Sequence, residues 1–502
     1  MATYFSDLHC HSTLFPFNQM HPSTWHENFN LIFPSQGDFT KLSKGKVRVL
    51  LLALYPVEQG FVTVKPGNLG TGNITDFLAE VILDMPKERA DEIQDPNHDY
   101  FYDLLNEYHF LQRFADPYTH KVHIESGKAK EFRYKIVSNF NELSALLNLD
   151  DDFNSGPACD DTIAVVLTIE GAHSLGIGQR NTLDLSEEEK RDKVRTNIAR
   201  LKKLGPPGNE GSHCPLFITF SHHFWNQLGG HAVSLWNVIR KVLDQNEGIN
   251  EGITELGEFV VNELLSTTGG VRRILIDCAH MSIKVRRWYF NFLQERELST
   301  GENIPIIVSH TGINGKATMA EAEIPGSPET VHDFADKLYE HSTEFNPWDV
   351  FLSDEEIILI HRSEGIIGLN MDHRIMMGKQ TLIEIKRHAF GKMPETARAI
   401  WIHPLINEIL HIGKVILQDS GNEDDIWDNI CIGSDFDGMI TPIKHFTNAT
   451  EFPELNETLF NELLDMRESE PLLAGKTDGQ ILEITDKIMW KNVLNFLRKH
   501  YH

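Results

Sequence analysis

The sequence is poor in basic residues, and it contains no long apolar run. Its 502 residues include 46 lysines and arginines against 73 aspartates and glutamates, which gives a formal net charge of -27. Because phosphate binding needs local positive charge, this balance argues against a nucleic-acid or anionic-membrane partner. No apolar run approaches the roughly twenty residues of a spanning helix, and no signal-peptide pattern is visible. We therefore expect no membrane segment and a cytoplasmic location.

Cysteine is also scarce, with only five residues in the whole chain. They are odd in number, widely scattered and never arranged as a CxxC pair: Cys10, Cys159, Cys214, Cys278 and Cys431. This pattern excludes a disulfide framework and a structural zinc knuckle as the basis of the fold. We expect reduced thiols in the core.

What the sequence does contain is a series of eight short apolar runs that end at polar residues. They read TYFSDLHCH, KVRVLLLALYP, TIAVVLTIEG, PLFITFSHH, RRILIDCAH, PIIVSH, GIIGLNMDH and NICIGSDFDG. Helix-like stretches lie between most of them, for example residues 186–204, where Ser186 is the predicted N-cap. Apolar strands that alternate with helices predict an α/β fold with a parallel sheet. Eight such units predict a (β/α)₈ TIM barrel, with a doubly wound open sheet as the alternative.

The chain is about twice as long as such a barrel needs, since about 250 residues suffice. We predict that residues 1–440 form the barrel, with large insertions at about 16–161 and about 314–347. Residues 441–502 are predicted to form a helical tail that packs on the barrel.

Metal-ligand and carboxylate side chains stand at the ends of five of the runs. His9 and His11 alternate along one strand, so both face the same side, as two ligands of one metal ion would. Each remaining residue also has an ordinary structural explanation when it is taken singly. At the ends of parallel barrel strands, however, all would converge on one mouth, where the active site of such a barrel is built. The set is His9, His11, Glu170, His280, His310 and Asp435, and it suffices for two divalent ions.

The same alternation bears on three further residues, Asp7, His222 and His223. Asp7 lies deeper on the strand that carries His9, so it is predicted to support a ligand or line the core. His222 and His223 end the fourth run, and in an extended backbone they would point to opposite sides, so only one is expected to serve.

The order of the motifs resembles the membrane (renal-type) dipeptidases, family M19 of the amidohydrolase superfamily. The similar segments are HCH, IEGAHSLG, ITFSHH, IDCAHMS, IVSHTG, SEGIIGLNM and IGSDFDG. The resemblance implies a divergent, zinc-dependent hydrolase that cleaves dipeptides or related N-acyl amino acids through a metal-bridging hydroxide. By the same resemblance His9 and His11 would bind one zinc ion, His280 and His310 the other, and Glu170 would bridge them. Asp435 would be the catalytic acid and base, and His222 would contact the substrate carbonyl.

The sequence departs from the family at two positions. The family's first motif reads His-x-Asp, whereas here His11 takes the place of the aspartate and removes one negative charge. The arginine that follows the His310 motif in the family is also missing. Lys316 or Arg374 could take over the substrate carboxylate. The expected partner is a small-molecule or dipeptide substrate, with a homodimer left open.

Other functions stay open at this point. SDLHCHS also resembles the opening motif of the PHP phosphoesterases, which use a distorted (β/α)₇ barrel, although EGAHS and SDFDG do not fit that family. Another amidohydrolase activity, such as a deacylase or lactonase, is a second alternative. A barrel without catalytic activity is a third, which the intact set of ionisable groups disfavours because buried charges without a partner are costly.

Overall fold

The structure, a computed structural model, describes residues 4–27, 34–63, 85–124, 127–153, 160–240 and 242–502. All eight predicted strands are present. In chain order the strands are β1 Phe5–Cys10, β2 Val47–Leu54, β3 His120–His123, β4 Ala129–Ile136, β5 Thr162–Ile169, β6 Phe217–Thr219, β7 Leu275–Asp277, β8 Ile307–Thr311, β9 Ile366–Leu369 and β10 Ile430–Ile432.

Eight of these strands form a parallel barrel in the order β1-β2-β5-β6-β7-β8-β9-β10. The barrel closes between its first and last strands, where Asp435 N donates to His9 O at 2.9 Å and His11 N donates to Phe436 O at 2.9 Å. The predicted (β/α)₈ barrel is therefore confirmed. Its strands are buried throughout, because the helices cover the outside and apolar side chains fill the interior.

Helices alternate with the barrel strands. Their bounds are α1 Leu14–Asn18, α2 Phe39–Lys44, α3 Lys87–Gln94, α4 Tyr100–Arg113, α5 Phe140–Leu147, α6 Glu187–Lys202, α7 Asn237–Arg240, α8 Glu255–Leu265, α9 Ile283–Thr300, α10 Met319–Ala322, α11 Val331–Glu340, α12 Asp354–Arg362, α13 Lys379–Ala389, α14 Pro394–Ser420, α15 Phe452–Asp465, α16 Asp478–Asp486 and α17 Asn492–His500. The predicted cap is confirmed at α6, where Ser186 and Glu189 form a reciprocal capping box.

The long segment between β1 and β5 contains more strands and helices than the single strand β2 that the sequence predicts there. Strands β3 and β4 form an antiparallel hairpin, and β4 also pairs in parallel with the first half of β5. Helices α3 and α4 lie in the same segment. The hairpin extends the sheet outside the barrel, next to the beginning of β5. The residues just after β2, by contrast, lie at the barrel mouth.

The C-terminal segment packs across the barrel's first and last strands. A single π-helical turn, Lys487–Lys491, joins α16 to α17, and it contacts both β1 and β10. The Trp490 ring lies 4.7 Å from that of Tyr4. None of these contacts tests the domain boundaries predicted from the sequence, so those boundaries stay a prediction.

One helix bears on the expectation about membrane segments. By length and composition α14 is apolar enough to cross a membrane, and in the part of the chain described here it is the single such helix. In the structure 67% of its apolar stretch is buried, and it packs against α12, α13 and α15. This burial is typical of a core helix, whose apolar faces are covered by its neighbours.

Candidate active site

The candidate residues converge because five parallel strands end at the same rim of the barrel. His9 and His310 lie within β1 and β8, while His11 and Glu170 follow directly after β1 and β5. His280 and Asp435 stand three residues beyond β7 and β10. Both have a left-handed backbone, with φ of 61° and 58°. Such a conformation is rare for residues other than glycine and is concentrated at functional sites.

Glu170 lies at the centre of the cluster. Its carboxylate is surrounded by five imidazole Nε2 atoms at distances of 2.8–3.7 Å, those of His9, His11, His222, His280 and His310. Burial opposes ionisation, but the positive charges of His222 and His11 outweigh it and hold the pKa of Glu170 well below its usual value. A buried, ionised carboxylate of this kind needs cations around it.

The structure brings together the two predicted pairs of ligands. His9 Nε2 and His11 Nε2 are 3.1 Å apart, and His280 Nε2 and His310 Nε2 are 2.8 Å apart. Each pair forms a group with Glu170 in which all candidate ligand atoms lie within 4.8 Å of one another. Glu170 is shared by both groups, as a bridging ligand would be.

The chemistry of these donors fits divalent metal ions. Imidazole nitrogens and a carboxylate oxygen are the ligand types that zinc and similar ions take from proteins. Burial lowers the pKa of His9 and His310, and burial together with His222 lowers that of His280 to about 3, so these rings are neutral. Among the residues that the structure describes, the Nδ1 atoms of His9, His11 and His280 have no hydrogen-bond partner. Neutral rings whose Nε2 atoms face one another are suited to hold a cation between them.

His11 differs from the other ligand candidates in its charge. Burial lowers its pKa, but the charges of Glu170 and Asp435 outweigh burial and raise the pKa of His11 to about 9. His11 Nε2 lies 2.8 Å from Glu170 Oε2 and 3.6 Å from Asp435 Oδ1. The imidazole therefore compensates locally for the carboxylates, and it must lose a proton before it can bind a metal ion.

Asp435 lies beside the first ligand pair. Its Oδ1 is 4.0 Å from His9 Nε2, and Asn370 Nδ2 donates to its Oδ2 at 3.0 Å. Burial and the charge of Glu170 raise the pKa of Asp435 well above its usual value. A carboxyl group with a raised pKa, held in one orientation, is suited to accept and return a proton.

Two buried aspartates fix the strand ends that carry the ligands. Asp7 accepts hydrogen bonds from Ser434 N at 2.9 Å and from Ser434 Oγ at 2.5 Å, and it is not part of a ligand group. Asp277 accepts from Ser309 Oγ at 2.6 Å, and Ser309 Oγ lies 2.9 Å from His310 Nδ1. The Asp277–Ser309–His310 chain orients the ring, as partners behind metal ligands commonly do. The sequence analysis did not identify Asp277, although the aspartate interrupts an apolar run.

His222 is held by a carboxylate that the sequence analysis also missed. Its Nδ1 lies 2.5 Å from Glu58 Oε2, and Tyr55 donates its hydroxyl to the same oxygen at 3.1 Å. Phe224 N donates to Glu58 Oε1 at 3.1 Å. The side chains of Glu58 and His222 are each only 4% exposed. Burial alone would raise the pKa of Glu58, but the charge of His222 outweighs burial and lowers this pKa to about 2. Burial alone would lower the pKa of His222, but the charges of Glu170 and Glu58 outweigh burial and raise it.

The expectation that His223 points away from the site was wrong. Both histidines line the same cavity, their ring centroids are 4.0 Å apart, and His223 Nδ1 bonds Ser234 Oγ at 2.7 Å. The alternation rule fails because β6 ends at Thr219, so these residues follow a loop rather than an extended strand. His222, His223 and His280 form a further group of potential ligands.

A cavity of about 350 Å³ opens above the cluster. Arg374 lines it, whereas Lys316 does not, so of the two cations suggested for the substrate only Arg374 is in place. Its Nε donates to both carboxylate oxygens of Asp372 at 2.9 Å, and its Nη2 also contacts Asp372. The arginine reaches the cavity as one half of an ion pair.

These features together define a (β/α)₈ barrel with groups of potential metal ligands at the C-terminal ends of its strands. No family model matches the sequence, and no curated protein matches it either. Among solved structures the fold is similar to that of dipeptidase AC, described as a metallopeptidase of family M19. That match has 14% identity and a TM-score of 0.53, and it covers 100% of this chain and 99% of the other.

A second similar structure is a metallopeptidase from Rhodobacter sphaeroides, solved with a phosphinate mimic of the dipeptide L-Ala-D-Ala. It has 15% identity and a TM-score of 0.53, and 100% of each chain is covered. At these identities the similarity concerns the fold. At that level the resemblance to M19 dipeptidases predicted from the motifs is confirmed.

Proposed function

We propose that the chain is a hydrolase that uses two divalent metal ions, expected to be zinc, to cleave an amide bond. The proposed substrates are dipeptides or related N-acyl amino acids. The observation that carries the proposal is the convergence of four histidine Nε2 atoms on Glu170, in two groups that share its carboxylate. In this proposal His9 and His11 would hold one ion, His280 and His310 would hold the other, and both ions would share Glu170.

Bound metal ions would polarise the substrate carbonyl and acidify a water molecule. The chain's own groups perform the remaining work. Asp435 accepts the proton that the attacking water loses and returns it to the leaving amine nitrogen, which keeps the proton count balanced. Asn370 holds Asp435 in position through the 3.0 Å hydrogen bond.

His222 stabilises the negative charge that develops on the carbonyl oxygen. Its Nε2 lies 3.6 Å from Glu170 Oε1 and faces the same cavity, while its Nδ1–H is committed to Glu58. Donation from Nε2 at the same time requires the doubly protonated ring, which the charge of Glu58 favours. Arg374, which lines the cavity as the partner of Asp372, is the proposed contact for a polar group of the substrate.

The experiment that tests this proposal is the Asp435→Asn variant, assayed for metal content and for amide hydrolysis. We expect near-complete metal binding and a fall in kcat of a hundredfold or more, because general acid and base catalysis contributes 10²–10⁴-fold. His280→Ala should lose metal as well as activity, whereas the control His403→Ala, on the exposed face of α14, should lose neither. Unchanged turnover in Asp435→Asn would remove Asp435 from the mechanism.

The alternative activities are separated by a substrate panel of dipeptides, N-acyl amino acids, lactones and phosphomonoesters. The eight-stranded barrel supports the amidohydrolase proposal over a PHP-like phosphoesterase, which uses a distorted seven-unit barrel. Turnover of phosphomonoesters alone would reverse that preference. A cytoplasmic location and a homodimer stay predictions, to be checked by cell fractionation and by light scattering.

A further inference from the structure

Two apolar clusters outside the barrel core form walls of the cavity that contains the proposed metal ligands. One wall belongs to a cluster around Phe61 and Leu235, with Ile239 packed against it. The other belongs to a cluster around Trp348 and Phe351, with Trp236 packed against it. The Trp236 and Trp348 ring centroids are 4.6 Å apart. The part of the cavity that these two clusters line is therefore apolar and aromatic.

The cavity offers little to bind a free carboxylate. Among its described lining residues Arg374 is the only lysine or arginine. Its guanidinium makes a bidentate contact with Asp372, and its Cζ lies 5.3 Å from the centre of the Trp236 ring. Because Asp372 already balances this positive charge, a second carboxylate would be desolvated without a cation of its own.

From these two observations we infer that the substrate carries a bulky apolar group, aromatic or branched aliphatic, next to the bond that is cleaved. The end that enters the walled cavity needs no free carboxylate. This inference rests on the proposed amide hydrolysis, and it narrows the substrate class from dipeptides in general to hydrophobic amides and N-acyl amino acid derivatives.

The magnitudes support this choice of substrate. Complete burial of a large apolar side chain contributes about 1.5–3 kcal/mol, which corresponds to about 10–150-fold in binding. Pockets that recognise apolar groups discriminate by about 10–200-fold for each methylene gained or lost. A small dipeptide would leave the space between the walls unfilled and forgo this gain.

The test compares matched ligands on the metal-loaded protein. Phosphinate dipeptide mimics are prepared with a methyl or a benzyl side chain, each with a free or an amidated C-terminus, and Kd is measured by calorimetry. We expect the benzyl ligands to bind at least tenfold more tightly than the methyl ligands. Amidation should change Kd by less than threefold. Equal or tighter binding of the methyl ligand, or a loss of more than thirtyfold on amidation, would overturn the inference.

The same pairs are then made as amide substrates and assayed with variants of the walls. Ile239→Ser and Val350→Ser, both at partly buried lining positions, should lower kcat/KM for the benzyl substrate at least fivefold more than for the methyl substrate. Leu298→Ser is the matched control, since Leu298 is 89% exposed on α9. An equal loss on both substrates, or no loss on either, would contradict the assigned walls.

Failure of the proposed function gives a different result from failure of this inference. If no amide in the panel is hydrolysed, amide hydrolysis is refuted, and the Kd ratios still decide whether the walls select an apolar group. If amides are hydrolysed but the small zwitterionic dipeptides are preferred, the hydrolase stands and the inference falls.

Discussion

At the scale of single residues, Glu170 organises the site. A carboxylate buried among apolar strands costs several kcal/mol unless cations or hydrogen-bond donors surround it. Here five imidazoles fill that role within 3.7 Å, and they arrive from strands that are far apart in the sequence. The protein thus maintains an expensive arrangement of charges, which is explained if the site holds cations.

Glu58 gives the sharpest prediction at this scale. Replacing Glu58 by Gln keeps the shape of the side chain but removes the charge that raises the pKa of His222. The doubly protonated ring then loses its proton at a lower pH, so the alkaline limb of the kcat/KM profile should move to lower pH. Near neutrality we expect a loss of about 10–100-fold, because hydrogen bonds to charged groups contribute about 1.5–3 kcal/mol.

The measurement is the pH dependence of kcat/KM in wild type and Glu58→Gln, with Glu58→Asp as the variant that restores the charge. A purely structural role for Glu58 would lower the activity by the same factor at every pH. An alkaline limb that stays in place would therefore contradict the assigned effect on His222.

At the scale of secondary-structure elements, the ends of the strands matter more than their interiors. The strand interiors are mainly apolar, and polar groups within them, such as Asp7 in β1, bond neighbouring segments. The candidate site residues lie near the C-terminal strand ends or a few residues after them. Where the chain continues in the strand direction, as at His9 and His11, periodicity predicts which way a side chain points. Where it turns, as at His222 and His223, periodicity gives the wrong direction.

Helix α6 offers a test of local stability that leaves the site untouched. In its capping box Glu189 N donates to Ser186 Oγ at 3.3 Å, and Ser186 N donates to Glu189 Oε2 at 2.8 Å. Ser186→Ala removes the cap and should lower the free energy of unfolding by about 1 kcal/mol. Thermal unfolding followed by circular dichroism measures the change.

Ser186→Thr is the matched control and should retain most of the lost stability, since threonine also caps helices. Neither Ser186 nor Glu189 lines the cavity, so kcat should be unchanged in Ser186→Ala and in Ser186→Thr. A fall in kcat without a fall in stability would show that α6 influences the site in a way the structure does not indicate.

At the scale of the whole molecule, barrel closure couples the two ends of the chain. His9 lies in β1 and His11 directly follows it, while Asp435 follows β10, yet backbone hydrogen bonds join the two segments directly. The proposed metal ions would connect the β1 end with three further strand ends around the same rim, those of β5, β7 and β8. Metal binding should therefore stabilise the entire fold and not a single loop, because ligand that binds only the folded state stabilises by mass action.

Removal of the metal is predicted to lower the thermal unfolding midpoint. A site that holds its ion at a hundredfold excess over Kd gains about 2.7 kcal/mol of stability. Dialysis against a chelator should remove that gain, and addition of zinc should restore it. Differential scanning calorimetry makes the measurement.

The control for this experiment is the His280→Ala and His310→Ala double variant, in which the chelator should produce a clearly smaller shift. His403→Ala, a change at a partly exposed histidine on α14, should respond like the wild type. Identical midpoints with and without chelator in the wild type would argue against a metal that binds tightly to the folded state.

The sequence predicted much of the fold and of the candidate site for a physical reason. Buried parallel strands must be continuously apolar, and polar groups in such strands are tolerated only where the strands end at a site. Glu170, His280, His310 and Asp435 could therefore be selected one by one from the ends of apolar runs. Parallel strands in a closed barrel bring those ends together without further information.

By itself, then, the sequence determined the eight strands, their parallel arrangement and the set of ionisable groups at one rim. Only the tertiary structure decided that Glu58 holds His222, that His223 faces the cavity and that Asp372 pairs with Arg374. Those contacts lie in loops beyond the strand ends, where no periodic pattern sets the direction of a side chain. They are fixed by packing between segments that are distant along the chain, and local sequence does not encode that packing.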